Sequence, residues 1–181
     1  MDLWTDPRLR ATADLCDALK DHPDFTLQVL PPVLRHFGRR RVFAGQVSTV
    51  RCFEDNSLVK QALQQMGVVA AAGQPPSRVL VVDGGASLRA ALLGGGMAAA
   101  AQRSGWAGLL LDGCIRDVCE LADIDLGVLA LAANPFPIRH REEGERDVPV
   151  RIQGVRVTPG DWLVADDDGV VIVSGARGLH P

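Results

Sequence analysis

The order of apolar and polar positions in the first third of the chain predicts a helix, a strand and a second helix. An N-terminal helix over about residues 6–20 begins at the capping pair Asp6-Pro7 and carries apolar residues at helical spacing, namely Leu9, Ala13, Leu15 and Leu19. Residues 41–53 are rich in Val and Thr, which favours a strand. Asn56 or Ser57 can then cap a helix that runs to about Met66.

Beyond residue 78 the pattern alternates between buried strands and helices, as a layered α/β domain requires. Residues 78–82 form a continuous apolar strand, and Gly84 and Gly85 are predicted to turn the chain out of it. The glycines at 94–96 then lead into an alanine-rich helix that ends near Ser104.

A second buried strand is predicted over residues 108–111 and ends at Asp112-Gly113, so that residues 114–117 project from its carboxyl end. A third apolar stretch, 126–131, precedes a polar loop, and short strands joined by tight turns follow to about residue 173. No linker interrupts the sequence, which predicts a single domain over residues 1–181 with its core at about 41–174.

Composition narrows the class of protein. Hydrophobic residues make up 47% of the 181 residues but aromatic residues only 4%, so the core is expected to consist of Val, Leu, Ile and Ala. A net charge of −3 argues against general binding to nucleic acid or to anionic membranes. The scattered cysteines are interpreted as free thiols, and we see neither a secretory signal nor an apolar run long enough to span a bilayer, so we expect a cytoplasmic protein.

Three stretches of the chain resemble the RraA family, which joins regulators of ribonuclease activity to divalent-metal-dependent 4-hydroxy-4-methyl-2-oxoglutarate aldolases. The first is residues 43–56, similar to the family's F-x-G run that ends in C-F-x-D-N; the second is residues 79–85 with 108–117, similar to V-L-V-[VI]-D-G-x and G-x-[IV]-R-D. The third comprises the turns at 144–147, 159–161 and 165–169. The resemblance implies a three-layer β/β/α swivelling-type domain and a homotrimer or a dimer of trimers, with sites near subunit boundaries.

The resemblance also points to site residues. Arg116, Asp117 and Glu120 match the second half of the aldolase pattern D-x20-R-D-x2-[ED]. Retro-aldol cleavage of a 4-hydroxy-2-oxo acid generates negative charge on the former oxo oxygen, which a guanidinium and a divalent cation stabilise. Arg116 and Asp117 are therefore the expected catalytic residues. Asp117 is the first candidate ligand for Mg²⁺ or Mn²⁺, with Glu120 as second choice.

The turn formed by Gly94, Gly95, Gly96 and Met97 is the expected substrate-binding element, together with Arg116. Amides at a helix N-terminus bind carboxylates favourably, and family members contact substrate through the backbone of this turn. Gly95 departs from the pattern, because the aldolase branch usually has Asp there, which puts catalysis in doubt. The regulators commonly lack the Asp after the arginine, whereas this chain has it as Asp117.

Each of these motifs also has an interpretation that involves no function. Without the family context Arg116-Asp117 reads as a surface ion pair, and Gly94–Gly96 is equally well a flexible turn. Asp166-Asp167-Asp168-Gly169 favours a hairpin over a calcium loop. Two functions follow: a lyase that releases pyruvate from 4-hydroxy-2-oxo acids, with possible oxaloacetate decarboxylation, or a non-catalytic regulator that binds ribonuclease E or an associated RNA helicase.

Overall fold

The computed structural model describes residues 11–67, 78–138 and 140–175, and these ranges contain four helices and eleven strands. The helices are α1 (Thr12–Leu19), α2 (Ser57–Leu63), α3 (Gly95–Arg103) and α4 (Val118–Asp123). The strands are β1 (Phe25–Val29), β2 (Arg35–His36), β3 (Phe43–Arg51), β4 (Arg78–Leu93), β5 (Gly108–Ile115), β6 (Gly127–Ala133), β7 (Glu145–Arg146), β8 (Val150–Ile152), β9 (Val155–Val157), β10 (Trp162–Ala165) and β11 (Val170–Gly175).

A large mixed sheet organises the molecule. Nine of the strands in the described ranges join in the order β1-β11-β10-β3-β4-β5-β6-β2, with β7 paired to β3, and β8 and β9 form a separate hairpin. Neighbours from β3 to β6 are parallel and the other pairs are antiparallel. The parallel strands are connected through α2, α3 and α4, which confirms the predicted alternation of strands and helices.

The parallel strands are buried on both faces, which gives three layers. Successive residues of a strand point to opposite sides of the sheet. Leu80 of β4 packs with the residues of α2 and α3, whereas its neighbour Val79 packs with Leu163 of β10 and Ile152 of β8. Helices therefore cover one face and a second layer of strands covers the other, as the β/β/α prediction requires. The core is almost entirely aliphatic, in agreement with the composition.

The predicted N-terminal helix is confirmed from Thr12 to Leu19, and residues 6–10 lie outside the described ranges. Leu15 and Leu19 are buried against Trp162 and Val173 on the outer side of the second strand layer. Ala13, which the helical spacing had also placed inward, is exposed.

The prediction that Gly84 and Gly85 turn the chain out of the sheet is wrong, because β4 continues to Leu93. Its register with β5 shifts after Asp83, where Gly85 and Ala86 both have positive φ angles, 64° and 54°. The strand bulges there and rejoins the ladder, which a local excess of residues in one strand permits. As a result, β4 ends directly before the glycine turn.

Other boundaries differ less. The helix expected to reach Met66 ends at Leu63, and β1, β2 and β7 were not predicted because they are short or half-exposed strands that depend on their partners. The predicted hairpin at residues 166–169 is confirmed: the Asp166 amide donates to the Gly169 carbonyl at 3.1 Å, between β10 and β11. Among the described residues, no helix combines the length and the apolar character needed to cross a membrane.

Candidate active site

Two adjacent strand ends build the site. Leu93 at the end of β4 pairs with Ile115 at the end of β5, so the residues that follow each strand emerge side by side at one edge of the sheet. The Arg116 amide donates to the Leu93 carbonyl at 2.9 Å. This bond fixes the backbone of Arg116 against the beginning of the glycine turn.

Asp117 lies between the turn and the arginine. Its backbone has φ 61° and ψ 44°, the left-handed conformation that Asp tolerates better than most residues. In this conformation the Oδ2 atom accepts a hydrogen bond from the Gly95 amide at 3.0 Å and lies 3.6 Å from Arg116 Nε. The Arg116 and Asp117 side chains remain 41% and 38% exposed, so both are accessible to a ligand.

Charged side chains approach two of the three glycines closely. A β-carbon on Gly94 would lie 2.6 Å from Asp117 Oδ2 and 3.2 Å from Arg116 Nε, and one on Gly95 would overlap Glu120 Oε2. A β-carbon on Gly96 would meet nothing within 4 Å. The first two glycines therefore allow three charged side chains to approach the backbone of the turn.

A cavity of about 410 Å³ opens beside the turn, between α2 and α3. Its lining includes Gly94, Gly96, Met97, Arg116 and Asp117, which are five of the predicted site residues. Gly95 and Glu120 are not part of the lining. The amide of Gly95 is engaged by Asp117, so it orients that carboxylate.

The opposite wall of the cavity consists of residues that were not among the predicted site residues. Lys60 contributes to it from α2, Asn56 and Gln64 from the two residues that flank this helix, and His140 from the loop after β6. The spacing of four residues between the three polar positions was a usable signal, because it places them on one face of a helix. Asn56 is 8% exposed and donates through Nδ2 to the Leu92 carbonyl at 3.1 Å, while its Oδ1 is buried without a hydrogen-bond partner among the described residues.

Asp55 holds the loop that carries His140. Its Oδ1 accepts from the Ser57 amide at 2.7 Å, and its Oδ2 accepts from the amides of Arg141 at 2.5 Å and Glu143 at 3.5 Å. Burial by itself would raise the pKa of this carboxyl, but the hydrogen bonds from Ser57 and the two loop amides outweigh it and lower the pKa below its ordinary value. An ionised Asp55 thus joins the start of α2 to the cavity loop.

The donors present suit a hydrated hard cation. Asp117 Oδ1 has no protein hydrogen-bond partner in the described parts of the chain, and Glu120 places a second carboxylate at the same turn. Within those parts no three His, Cys, Asp or Glu side chains gather as a metal cage. Mg²⁺ and Mn²⁺ accept one or two carboxylates and keep several waters, whereas structural zinc needs four protein ligands. The residues therefore fit the implied divalent cation.

Comparison with known proteins agrees with this architecture. The family model RraA-like, described as Aldolase/RraA, matches residues 12–172. A relative from Albidiferax ferrireducens, provisionally named 4-hydroxy-4-methyl-2-oxoglutarate aldolase, is 55% identical over 165 residues, which cover 91% of this chain and 95% of the relative.

Two solved structures are also similar. The RNA-processing inhibitor RraA from Thermus thermophilis has 42% identity and a TM-score of 0.82, covering 93% of this chain and 94% of that one. A structure described as S-adenosylmethionine:2-dimethylmenaquinone methyltransferase from Geobacillus kaustophilus HTA426 has 41% identity and a TM-score of 0.82, covering 94% of this chain and 98% of that one. With a family model that matches most of its length and relatives this similar, the chain belongs to the RraA-like family.

Proposed function

We propose that the chain is a divalent-metal-dependent lyase of the class II aldolase type. It cleaves 4-hydroxy-4-methyl-2-oxoglutarate and similar 4-hydroxy-2-oxo acids to pyruvate, and it decarboxylates oxaloacetate at the same site. The observation that carries the proposal is the convergence of Arg116 and Asp117 on the glycine turn at the mouth of a cavity. The name of the Albidiferax relative supports the substrate class.

The chemistry requires stabilisation of one developing negative charge. Cleavage breaks the bond between C3 and C4, the C4 hydroxyl loses its proton to become a carbonyl, and C3 gains a proton to give pyruvate. Arg116 donates hydrogen bonds to the carboxylate and oxo oxygens, which orients the substrate and stabilises the enolate. Asp117, with Glu120 as a further ligand directly or through water, would hold a divalent cation, which would supply positive charge to stabilise the enolate.

Release of pyruvate tests this function. Purified protein with Mg²⁺ or Mn²⁺ is expected to release pyruvate from 4-hydroxy-4-methyl-2-oxoglutarate and from oxaloacetate, and Arg116→Ala is expected to abolish both activities. Arg156→Ala, which removes an exposed arginine from β9, is the matched control and keeps full activity. If the wild-type rate does not exceed that of Arg116→Ala with any of several divalent metals, the proposal is wrong.

A regulatory role is the second candidate. The similarity to the Thermus RNA-processing inhibitor favours it, as does the glycine at position 95. In this role the chain binds ribonuclease E or an associated RNA helicase without performing chemistry. A pull-down with each partner and an RNA-decay assay test it, and absence of a complex at micromolar concentrations would count against it.

Assembly as a homotrimer or a dimer of trimers stays a prediction, which light scattering can check.

A further inference from the structure

The two helices beside the cavity run side by side in the same direction, away from the glycine turn. At their beginnings, Asn56 Nδ2 contacts Met97 Sδ at 3.5 Å. Beyond their ends, Trp106 Nε1 donates to the Gln65 carbonyl at 3.2 Å and the Gly67 amide donates to the Ser104 carbonyl at 2.8 Å. Positions farther along α2 therefore lie farther from the turn along the cavity wall.

Lys60 occupies the position one helical turn beyond Asn56. It lines the cavity, and it is one of only two lysines in the sequence, the other being Lys20. In the described ranges its ammonium group makes neither an ion pair nor a hydrogen bond, whereas Lys20 pairs with Asp17 at 3.5 Å. The cavity thus presents a cation without a protein counter-ion on the wall facing α3.

The charges around the cavity favour a ligand with two negative ends. Asp117 is the only carboxylate in the lining of this cavity, and it is expected to hold the cation. Arg116 stands at the turn and Lys60 on the wall, so the two fixed positive charges of the lining belong to different parts of the cavity. Apolar residues lie around them, among them Leu63, Ala100 and Ile138.

We propose that Lys60 binds the distal carboxylate of a 4-hydroxy-2-oxo dicarboxylate and so makes the site select dicarboxylates over 4-hydroxy-2-oxo monocarboxylates. This inference rests on the lyase function proposed above. Four residues of helix advance about 6 Å from Asn56 to Lys60. The two end carboxyl carbons of an extended five-carbon diacid are about 5 Å apart, from four bonds of ~1.5 Å. A substrate held by Arg116 at the turn therefore places its far carboxylate within reach of the flexible Lys60 side chain.

Steady-state kinetics with a pair of substrates tests the role of Lys60. The dicarboxylate is 4-hydroxy-4-methyl-2-oxoglutarate, and the monocarboxylate is 4-hydroxy-2-oxopentanoate, which lacks the distal carboxylate. Lys60→Met is expected to raise KM for the dicarboxylate about tenfold or more with little change in kcat, because binding shared by ground state and transition state is lost. Its kcat/KM for the monocarboxylate and its inhibition by oxalate, which mimics only the pyruvate half, stay at the wild-type values.

Matched variants separate charge from structure. Lys60→Arg keeps the positive charge and is expected to retain dicarboxylate selectivity, and Lys60→Gln is a second neutral variant expected to behave like Lys60→Met. Lys20→Met removes the other lysine, at the end of α1, and is expected to leave kcat and KM unchanged for both substrates. An equal loss on both substrates, or no loss on the dicarboxylate, would overturn the assignment while leaving the lyase function intact. A wild-type protein that releases no pyruvate from either substrate would instead refute the lyase function.

Discussion

The carboxylate of Glu120 lies against Gly95, in the space where a side chain at position 95 would begin. The aldolase pattern places an acid at position 95, and this chain has none there. A negatively charged group nevertheless stands at this point of the turn, supplied from α4. The amide of Gly95 meanwhile donates to Asp117, so one glycine lies in contact with two carboxylates.

Because Gly95 and Glu120 are in contact, substitutions at these two positions are expected to have coupled effects on the free energy of unfolding. Gly95→Asp brings a second carboxylate into the space of Glu120, and we expect it to lower the free energy of unfolding by about 1 kcal/mol. In a Glu120→Ala background the same substitution is expected to cost much less. Urea unfolding of the four proteins measures the coupling. Gly96→Asp is the control, since a side chain there enters open space, and additive effects at positions 95 and 120 would contradict the prediction.

Asp117→Asn separates the shape of the Asp117 side chain from its charge. Asn tolerates the left-handed backbone and still offers an oxygen to the Gly95 amide, so stability is expected to fall by less than about 1 kcal/mol. Loss of the carboxylate is expected to weaken Mn²⁺ binding about tenfold or more, because affinity for hard cations follows the charge of the ligands. Paramagnetic resonance of free Mn²⁺ reports this without an activity assay. Unchanged Mn²⁺ affinity would show that the cation is held elsewhere.

Asp55→Asn is expected to loosen the loop that carries His140. Because the fold lowers the pKa of Asp55, its contribution to stability is present above the ordinary Asp pKa and is lost as the pH falls through the lowered folded-state pKa. The amide cannot accept all of the hydrogen bonds, so the loss at neutral pH is about 2–3 kcal/mol. Urea unfolding across the acid range, with hydrogen exchange at the Arg141 and Glu143 amides, measures both effects. Amide protection equal to that of the wild type would contradict the role of Asp55.

The contribution of Asp112 to stability is expected to depend on pH in the opposite direction. This residue of β5 is 4% exposed; burial raises its pKa, Asp83 raises it further, and the hydrogen bond from Gln153 Nε2 at 2.6 Å opposes both. Its stabilising contribution is therefore complete below the ordinary Asp pKa and is lost as the pH rises through the raised one. Asp112→Asn keeps an acceptor for Gln153 and is expected to raise the melting temperature at pH 7 by roughly 2–4 °C. That gain should vanish in acid, and a gain that does not change with pH would refute the explanation.

The predicted strands were confirmed where consecutive residues of the chain are buried. The apolar runs at residues 78–82 and 108–111 mark strands covered on both faces. The second of these strands continues past its predicted end at Asp112-Gly113 to Ile115, and all of its residues are buried. The sequence therefore placed Arg116 and Asp117 after a strand, although this strand ends later than predicted, directly before Arg116. The bulged half of β4 was not predicted. Glycines within a strand and glycines that end a strand cannot be distinguished in the sequence until the neighbouring strand is known.

The sequence by itself determined the family, the alternating strands and helices, and the arginine and aspartate that leave β5 together. Only the tertiary structure decided that these two residues share a cavity with Lys60 and His140, and that Glu120 fills the space beside Gly95. The reason is physical: a pattern along the chain reports how deeply each segment is buried. Which side chains meet across a cavity depends on how the sheet pairs its strands and how the helices pack upon it.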